Sequence, residues 1–140
     1  RKLHRNSKKE KQEIRMESTD IEIFVFGSNE AGRHGAGSAL HARRHHGAIY
    51  GYGVGLQGES YAIPTRDANL NTLGISKIKE YVNDFIAFAK NNPQYKFKLV
   101  RIGCGLAGYT DAEMAPLFKE CSPNCILPKE WIPIIRNENI

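Results

Sequence analysis

The apolar positions change their period several times along the chain, and each change marks a different element. Ile21 to Phe26 (IEIFVF) is a short, nearly continuous run of β-branched and aromatic residues ended by Gly27 and Ser28, which predicts a buried strand. Ala36 to His46 predicts a helix after a glycine-rich turn, with Ala39, Leu40 and Arg43 on a shared face. Gly47 to Ser60 holds five glycines, too many for a regular element, and predicts a long loop or a loose strand pair leading into a strand at Tyr61 to Ile63. The clearest helix is Ser76 to Lys90, where Ile78, Tyr81, Val82, Phe85, Ile86 and Ala89 recur at spacings of three and four.

Beyond Pro93, Phe97 to Ile102 (FKLVRI) reads as a strand entering a core, and Gly103 to Tyr109 as a second glycine-rich loop. Thr110 and Glu113 have capping-box spacing, so a helix is expected from Asp111 to about Glu120. A last strand is expected within Cys125 to Leu127 or Ile132 to Ile135. Alternating strands and helices predict an α/β fold, a parallel or mixed sheet covered by helices on both faces. Ligands of such sheets bind outside the carboxyl ends of strands. Two loops answer to that position, Gly27 to Gly37 and Gly103 to Tyr109, and both precede helices.

Composition narrows the class. A chain of 140 residues has room for one domain, and no apolar run approaches the roughly 18 to 20 residues of a membrane helix. The net charge of +5 is uneven: residues 1–20 hold seven Lys or Arg against four Asp or Glu, which is +3 of that total. Residues 1–15 are therefore expected to be a solvated, disordered basic tail, and residues 16–140, from Met16 onward, the domain. The opening segment lacks the apolar stretch of a secretory signal, and three cysteines, an odd number, suit a reducing compartment, so a cytoplasmic location is expected. Cys121 and Cys125 have no second ligand pair at zinc-finger spacing, and His41 and His45 read as exposed helix histidines, so no metal or cofactor is expected.

Glycines at strand-to-helix turns let backbone amides approach an anion, and the helix N-terminus adds partial positive charge. Gly35-Ala36-Gly37 opens one predicted helix, and Gly103 to Gly108 (GCGLAG) precedes another. A diphosphate held between the two loops is the expected ligand. The first loop lacks the Gly-x-Gly-x-x-Gly spacing of a dinucleotide fingerprint, and no Walker sequence occurs anywhere in the chain, which disfavours a Rossmann dehydrogenase and a P-loop NTPase.

Three segments resemble the macro domain family. The run from Phe26, FGSNEAGRHGAGSALH, is similar to that family's first ligand loop, with Asn29 and Gly35 to Gly37 at the matched positions. Val54 to Thr65 (VGLQGESYAIPT) is similar to its glycine turn and following strand, and Ile102 to Tyr109 (IGCGLAGY) to its diphosphate loop. The Gly-Cys-Gly-Leu wording and His34-Gly-Ala-Gly resemble most the terminal ADP-ribose protein glycohydrolase branch. The resemblance covers roughly Ile21 to Leu127 and implies a three-layer macro-like fold that binds ADP-ribose. It also implies Gly35, Ala36 and Gly37 near the diphosphate or distal ribose, and Asn29 at that ribose. Gly103, Cys104, Gly105, Leu106, Ala107 and Gly108 would lie at the phosphates, with Tyr109 flanking.

The departures bear on chemistry. The branch's catalytic lysine and aspartate fall at Arg66 and Ala107, and neither can replace them: arginine stays protonated, and alanine carries no proton. The family's adenine-binding aspartate has no match, since Asp20 lies too close to Asn29. Ribosyl C–O cleavage can still proceed through an oxocarbenium-like state steadied by a carboxylate, and Asp67 and Asn29 are the catalytic candidates, with Arg66 as an anion contact. Asp111 reads more simply as a first-turn helix acid. Three readings result: an ADP-ribose binder that hydrolyses ADP-ribosyl linkages on protein or nucleic acid, a sensor of an NAD-derived nucleotide without turnover, and a nucleic-acid accessory protein.

Overall fold

The computed structural model describes residues 21–138; the expectations for the basic tail, for Met16 and for Asp20 lie outside the described residues. Five strands form one mixed sheet: β1 (Ile21–Asn29), β2 (Gly55–Gln57), β3 (Ser60–Arg66), β4 (Tyr95–Leu99) and β5 (Cys125–Ile126). Their spatial order is β2-β3-β1-β4-β5. β1 runs parallel to both β3 and β4, β4 is parallel to β5, and only β2 is antiparallel to its neighbour. The helices are α1 (Gly37–His45), α2 (Ile75–Lys90), α3 (Asp111–Met114), a 3-10 turn at Ala115–Phe118, and α4 (Ile132–Glu138).

Alternation along β1 sorts its side chains between two layers. Ile23 and Val25 face a large core with Tyr61, Ile63, Phe97, Leu99 and the buried stripe of α2, Ile78, Val82, Phe85 and Ala89. Phe26 faces the opposite layer with Ala62, Ala48 and two residues of α1, Ala39 and Ala42, and Phe24 packs at its edge. Helices thus cover both faces of the sheet. Small residues on α1 let its backbone lie close to the sheet, and the buried face is Ala39 and Ala42 rather than one including Arg43, which is exposed. Among the described residues no helix is long and apolar enough to cross a membrane.

Several element boundaries differ from the sequence expectation: β4 is Tyr95–Leu99 where Phe97 to Ile102 is expected, β3 extends beyond Tyr61 to Ile63 to cover Ser60–Arg66, and three further differences have clear causes. β1 continues through Gly27 and Ser28 to Asn29, because β3 keeps offering it a parallel partner, with Asn29 opposite Arg66 across a local register shift. The helix expected over Asp111 to Glu120 is one α-turn followed by a 3-10 turn, since Pro116 has no amide proton to continue the α ladder. Ile132 to Ile135 is helical, and the last strand is Cys125–Ile126, in parallel with Phe97 and Lys98 of β4. The predicted capping box is present: Thr110 Oγ1 accepts from Glu113 N at 3.2 Å, and Thr110 N donates to Glu113 Oε1 at 2.9 Å.

The chain enters the sheet at its centre, builds β2 and β3 on one side of β1, then crosses by α2 to build β4 and β5 on the other. The carboxyl end of β1 is therefore a topological switch point, where loops leave to opposite sides and open a crevice.

Candidate functional site

A cleft of about 420 Å³ lies at that crevice. It is within the range of small-molecule sites, roughly 300 to 1,000 Å³. Its walls come from the ends of β1 and β3, from the segment that follows β4, Val100 to Ala107, and from the first turn of α1. Of the residues singled out from sequence, Asn29, Ala36, Gly37 and Arg66 line it, as do the five consecutive residues Gly103 to Ala107. Gly35, Asp67, Gly108 and Tyr109 do not line it.

Several residues that line this space have backbone amides without a hydrogen-bond partner among the described residues. The first turn of α1 has no side-chain cap, and among the described residues the amides of Gly37, Ser38 and Ala39 have no hydrogen-bond partner; the first intrahelical donor is Leu40 N, to Ala36 O at 3.2 Å. Those are the orphan donors that give a helix N-terminus its affinity for anions. Across the cleft, Gly108 N bonds Gly105 O at 3.0 Å and Tyr109 N bonds Gly103 O at 2.9 Å, which folds the second loop tightly. The amides of Gly105, Leu106 and Ala107 have no acceptor among the described residues.

Two glycines of the second loop have different reasons to be glycine. Gly103 has φ +83° and a Cβ there would meet Met114 Cε at 2.8 Å, so the fold itself demands it. At Gly105 a Cβ would meet nothing within 4 Å, and its backbone is not in the left-handed region. The fold places no restriction on Gly105, yet it lines the cleft.

Three arginines line the cleft: Arg33, Arg66 and Arg101. Among the described residues Arg33 and Arg66 have no ion-pair partner. Arg101 is held by Asp111, and those hydrogen bonds, against the opposing effect of burial, hold the Asp111 carboxyl down to about 2. Arg33 and Arg101 were missed from sequence. The available signal was position, since Arg101 lies in the short segment between β4 and the glycine loop.

The candidate acid and base groups are occupied. Asn29 is buried, and its amide clamps the loop that follows, Nδ2 donating to Arg33 O at 3.0 Å and Oδ1 accepting from Arg33 N at 2.9 Å. Asp67 Oδ1 accepts from Asn69 N at 2.8 Å and Asn71 N at 2.9 Å, closing the β3–α2 loop on itself. Tyr109 donates to Leu73 O at 2.5 Å and Thr72 Oγ1 donates to Ala107 O at 3.0 Å, so both pin the second loop to the β3–α2 connection. Burial, and then a bond to Asp111, push the Cys104 thiol up to about 11, which leaves it protonated at neutral pH. Among the described residues no Asp, Glu or His lines the cleft.

His34, two residues beyond Gly32, is fully buried edge-on to Phe26, with neither ring nitrogen in a hydrogen bond of good geometry although the Tyr52 backbone lies nearby. Burial first, and then Arg43, lower its pKa. Among the described residues no group of three or more His, Cys, Asp or Glu side chains is arranged to hold a metal ion.

The arrangement is rich in hydrogen-bond donors and fixed positive charge; among the described residues no carboxylate or imidazole lines it, and its hydroxyl and thiol side chains are those of Ser28, Ser38, Thr65 and Cys104. Compared with protein-family models, curated proteins and solved structures, the chain has no match.

Proposed function

We propose that the cleft binds a nucleotide diphosphate of the ADP-ribose class, and that the domain acts as a reader of that ligand, free or carried on a protein or a nucleic acid. The observation that carries the reading is the pairing of two sets of unpartnered amides, Gly37 to Ala39 and Gly105 to Ala107, across a cleft that also presents Arg33 and Arg66. Two donor sets facing one space suit an anion with two phosphates better than a single carboxylate or sulfate. The likeness of three motifs to the macro domain family supports ADP-ribose as the particular diphosphate.

Binding without turnover is the better-supported form of this reading. Cleavage of a ribosyl bond needs a group that moves a proton or steadies a developing cation. The carboxylate suggested for that task, Asp67, is committed to its own loop, and Asn29 is committed to the Arg33 backbone.

Calorimetric titration with ADP-ribose, ADP and ribose 5-phosphate tests the reading. ADP-ribose and ADP should bind, and ribose 5-phosphate should bind more weakly. Arg66→Ala should cost about 1.5 to 3 kcal/mol, roughly 10- to 100-fold in affinity, as expected for a lost charge-assisted hydrogen bond. Equal affinity in wild type and Arg66→Ala, or no heat with any diphosphate, contradicts it.

A further inference from the structure

Five of the ten exposed large hydrophobic side chains among the described residues fall within eight consecutive positions: Ile49, Tyr50, Tyr52, Val54 and Leu56. The three positions between them are glycines. Tyr50 is 56% exposed and Tyr52 62%. A run of exposed large apolar side chains this dense is the kind of surface that marks a contact site.

The segment is rigidly built, and its backbone explains why the rings face solvent. A Cβ at Gly32 would overlap the Tyr52 amide nitrogen, and one at Gly53 would overlap the Asn29 carbonyl oxygen, so glycine at both positions lets two backbones touch. Gly51 N donates to Gly32 O at 2.8 Å, and Ser28 Oγ donates to Gly53 O. The buried Gln57 side chain closes the other edge, Oε1 accepting from Ile49 N at 2.7 Å and Nε2 donating to Tyr52 O at 2.9 Å. With its backbone fixed against the loop that lines the cleft, the segment presents its aromatic side chains outward. Neither phenol hydroxyl has a hydrogen-bond partner among the described residues.

Positive charge adjoins the rings. The Arg43 guanidinium carbon lies 5.2 Å from the Tyr50 ring centroid, and Arg44 and His45 share the last turn of α1 with it. Arg33 directly follows Gly32 and lines the cleft. Of the nearby carboxylates, Glu22 and Glu59 lie near His46, and Glu30, whose backbone abuts Gly53, accepts from the Tyr81 hydroxyl. Rigid aromatic faces beside arginines supply what unstacked bases and backbone phosphates require, whereas a second copy of this surface would bring Arg43 against its own kind.

We propose that Tyr50, Tyr52 and Arg43 form a stacking platform for single-stranded nucleic acid, set beside the anion cleft. The platform does not depend on what the cleft binds, because neither tyrosine lines the cleft. A duplex keeps its bases stacked on one another and offers the rings nothing, so single strands are preferred.

The test is fluorescence anisotropy of the full chain with an oligothymidylate of about 12 nucleotides, within the roughly 4–16 nucleotide footprint of such sites, and with a duplex of equal length. Wild type should bind the single strand more tightly than the duplex. The double variant Tyr50→Ala, Tyr52→Ala should lose about tenfold or more, and the Phe double variant should retain binding, since the ring face and not the hydroxyl makes the contact. Arg43→Ala should weaken binding and reduce the slope of log affinity against log salt by about one. All three variants should keep the wild-type melting temperature and ADP-ribose affinity, which separates this outcome from failure of the cleft reading. No single-strand binding, equal binding of duplex, or Ala variants that bind like wild type would each overturn the platform. Self-association abolished by the same tyrosine substitutions, without oligonucleotide binding, would assign the surface to protein contact and overturn it as well.

Discussion

Arg101 and Asp111 form a forked pair, with Nε donating to Oδ1 at 2.9 Å and Nη2 to Oδ2 at 2.6 Å. The same Oδ1 accepts from Trp131 Nε1 at 2.8 Å and from the Cys104 thiol at 3.4 Å. One carboxylate therefore ties together a wall of the cleft, the second glycine loop and the segment that leads into α4. Trp131 is fully buried against Phe118, which makes that tie rigid.

Asp111→Asn should lower ligand affinity several-fold by freeing Arg101 and loosening the loop, and it should change the acid stability profile. The folded-state pKa of about 2 lies below the ordinary 3.8, so the carboxylate contributes stability that is present above about pH 4 and is lost as pH falls toward 2. Wild type should lose stability more steeply than Asp111→Asn between those values, measured as urea midpoints across that range. Parallel profiles would remove Asp111 from this role.

Gly103→Ala should destabilise the fold, since a side chain at φ +83° is strained and its Cβ would press on Met114. The expected loss is about 1 to 3 kcal/mol, visible as a lower denaturation midpoint. An unchanged midpoint would show that the loop relaxes freely at this position.

Asp67→Ala should act on the loop. It removes two backbone-to-carboxylate hydrogen bonds, and a loss of about 0.5 to 1.5 kcal/mol in stability is expected for each at most, with ADP-ribose affinity changed little. The check is thermal unfolding beside a turnover assay on ADP-ribosylated protein. A hundredfold loss of measurable turnover with stability unchanged would instead make Asp67 catalytic and contradict the reader assignment.

Much of the fold was legible because its signals are local. The stripe from Ile78 to Ala89 became the buried face of α2, and Thr110 with Glu113 became a capping box, each from side chains within a few residues of one another. The extension of β1 to Asn29 was not legible, since it depends on β3, more than thirty residues away in sequence, continuing alongside. The helical state of Ile132 to Ile135 was hidden for a similar reason: an apolar run of four fits strand and helix equally, and Trp131, anchored on Asp111, starts the helix. For the site, the two loops were legible from their glycines, whereas the commitment of Asn29 and Asp67 to backbone contacts was a matter of side-chain direction. The cationic wall of Arg33, Arg66 and Arg101 required the sheet order, which brings three separate strand ends together.

The most direct test of the cleft assignment is calorimetric titration of Gly105→Val with ADP-ribose, beside its melting temperature. A Cβ at Gly105 meets no protein atom within 4 Å, so the fold tolerates the side chain, which would stand in the cleft against the free amides of the second loop. The account predicts a melting temperature close to wild type and no detectable ADP-ribose binding. Wild-type affinity in a folded Gly105→Val protein would contradict it.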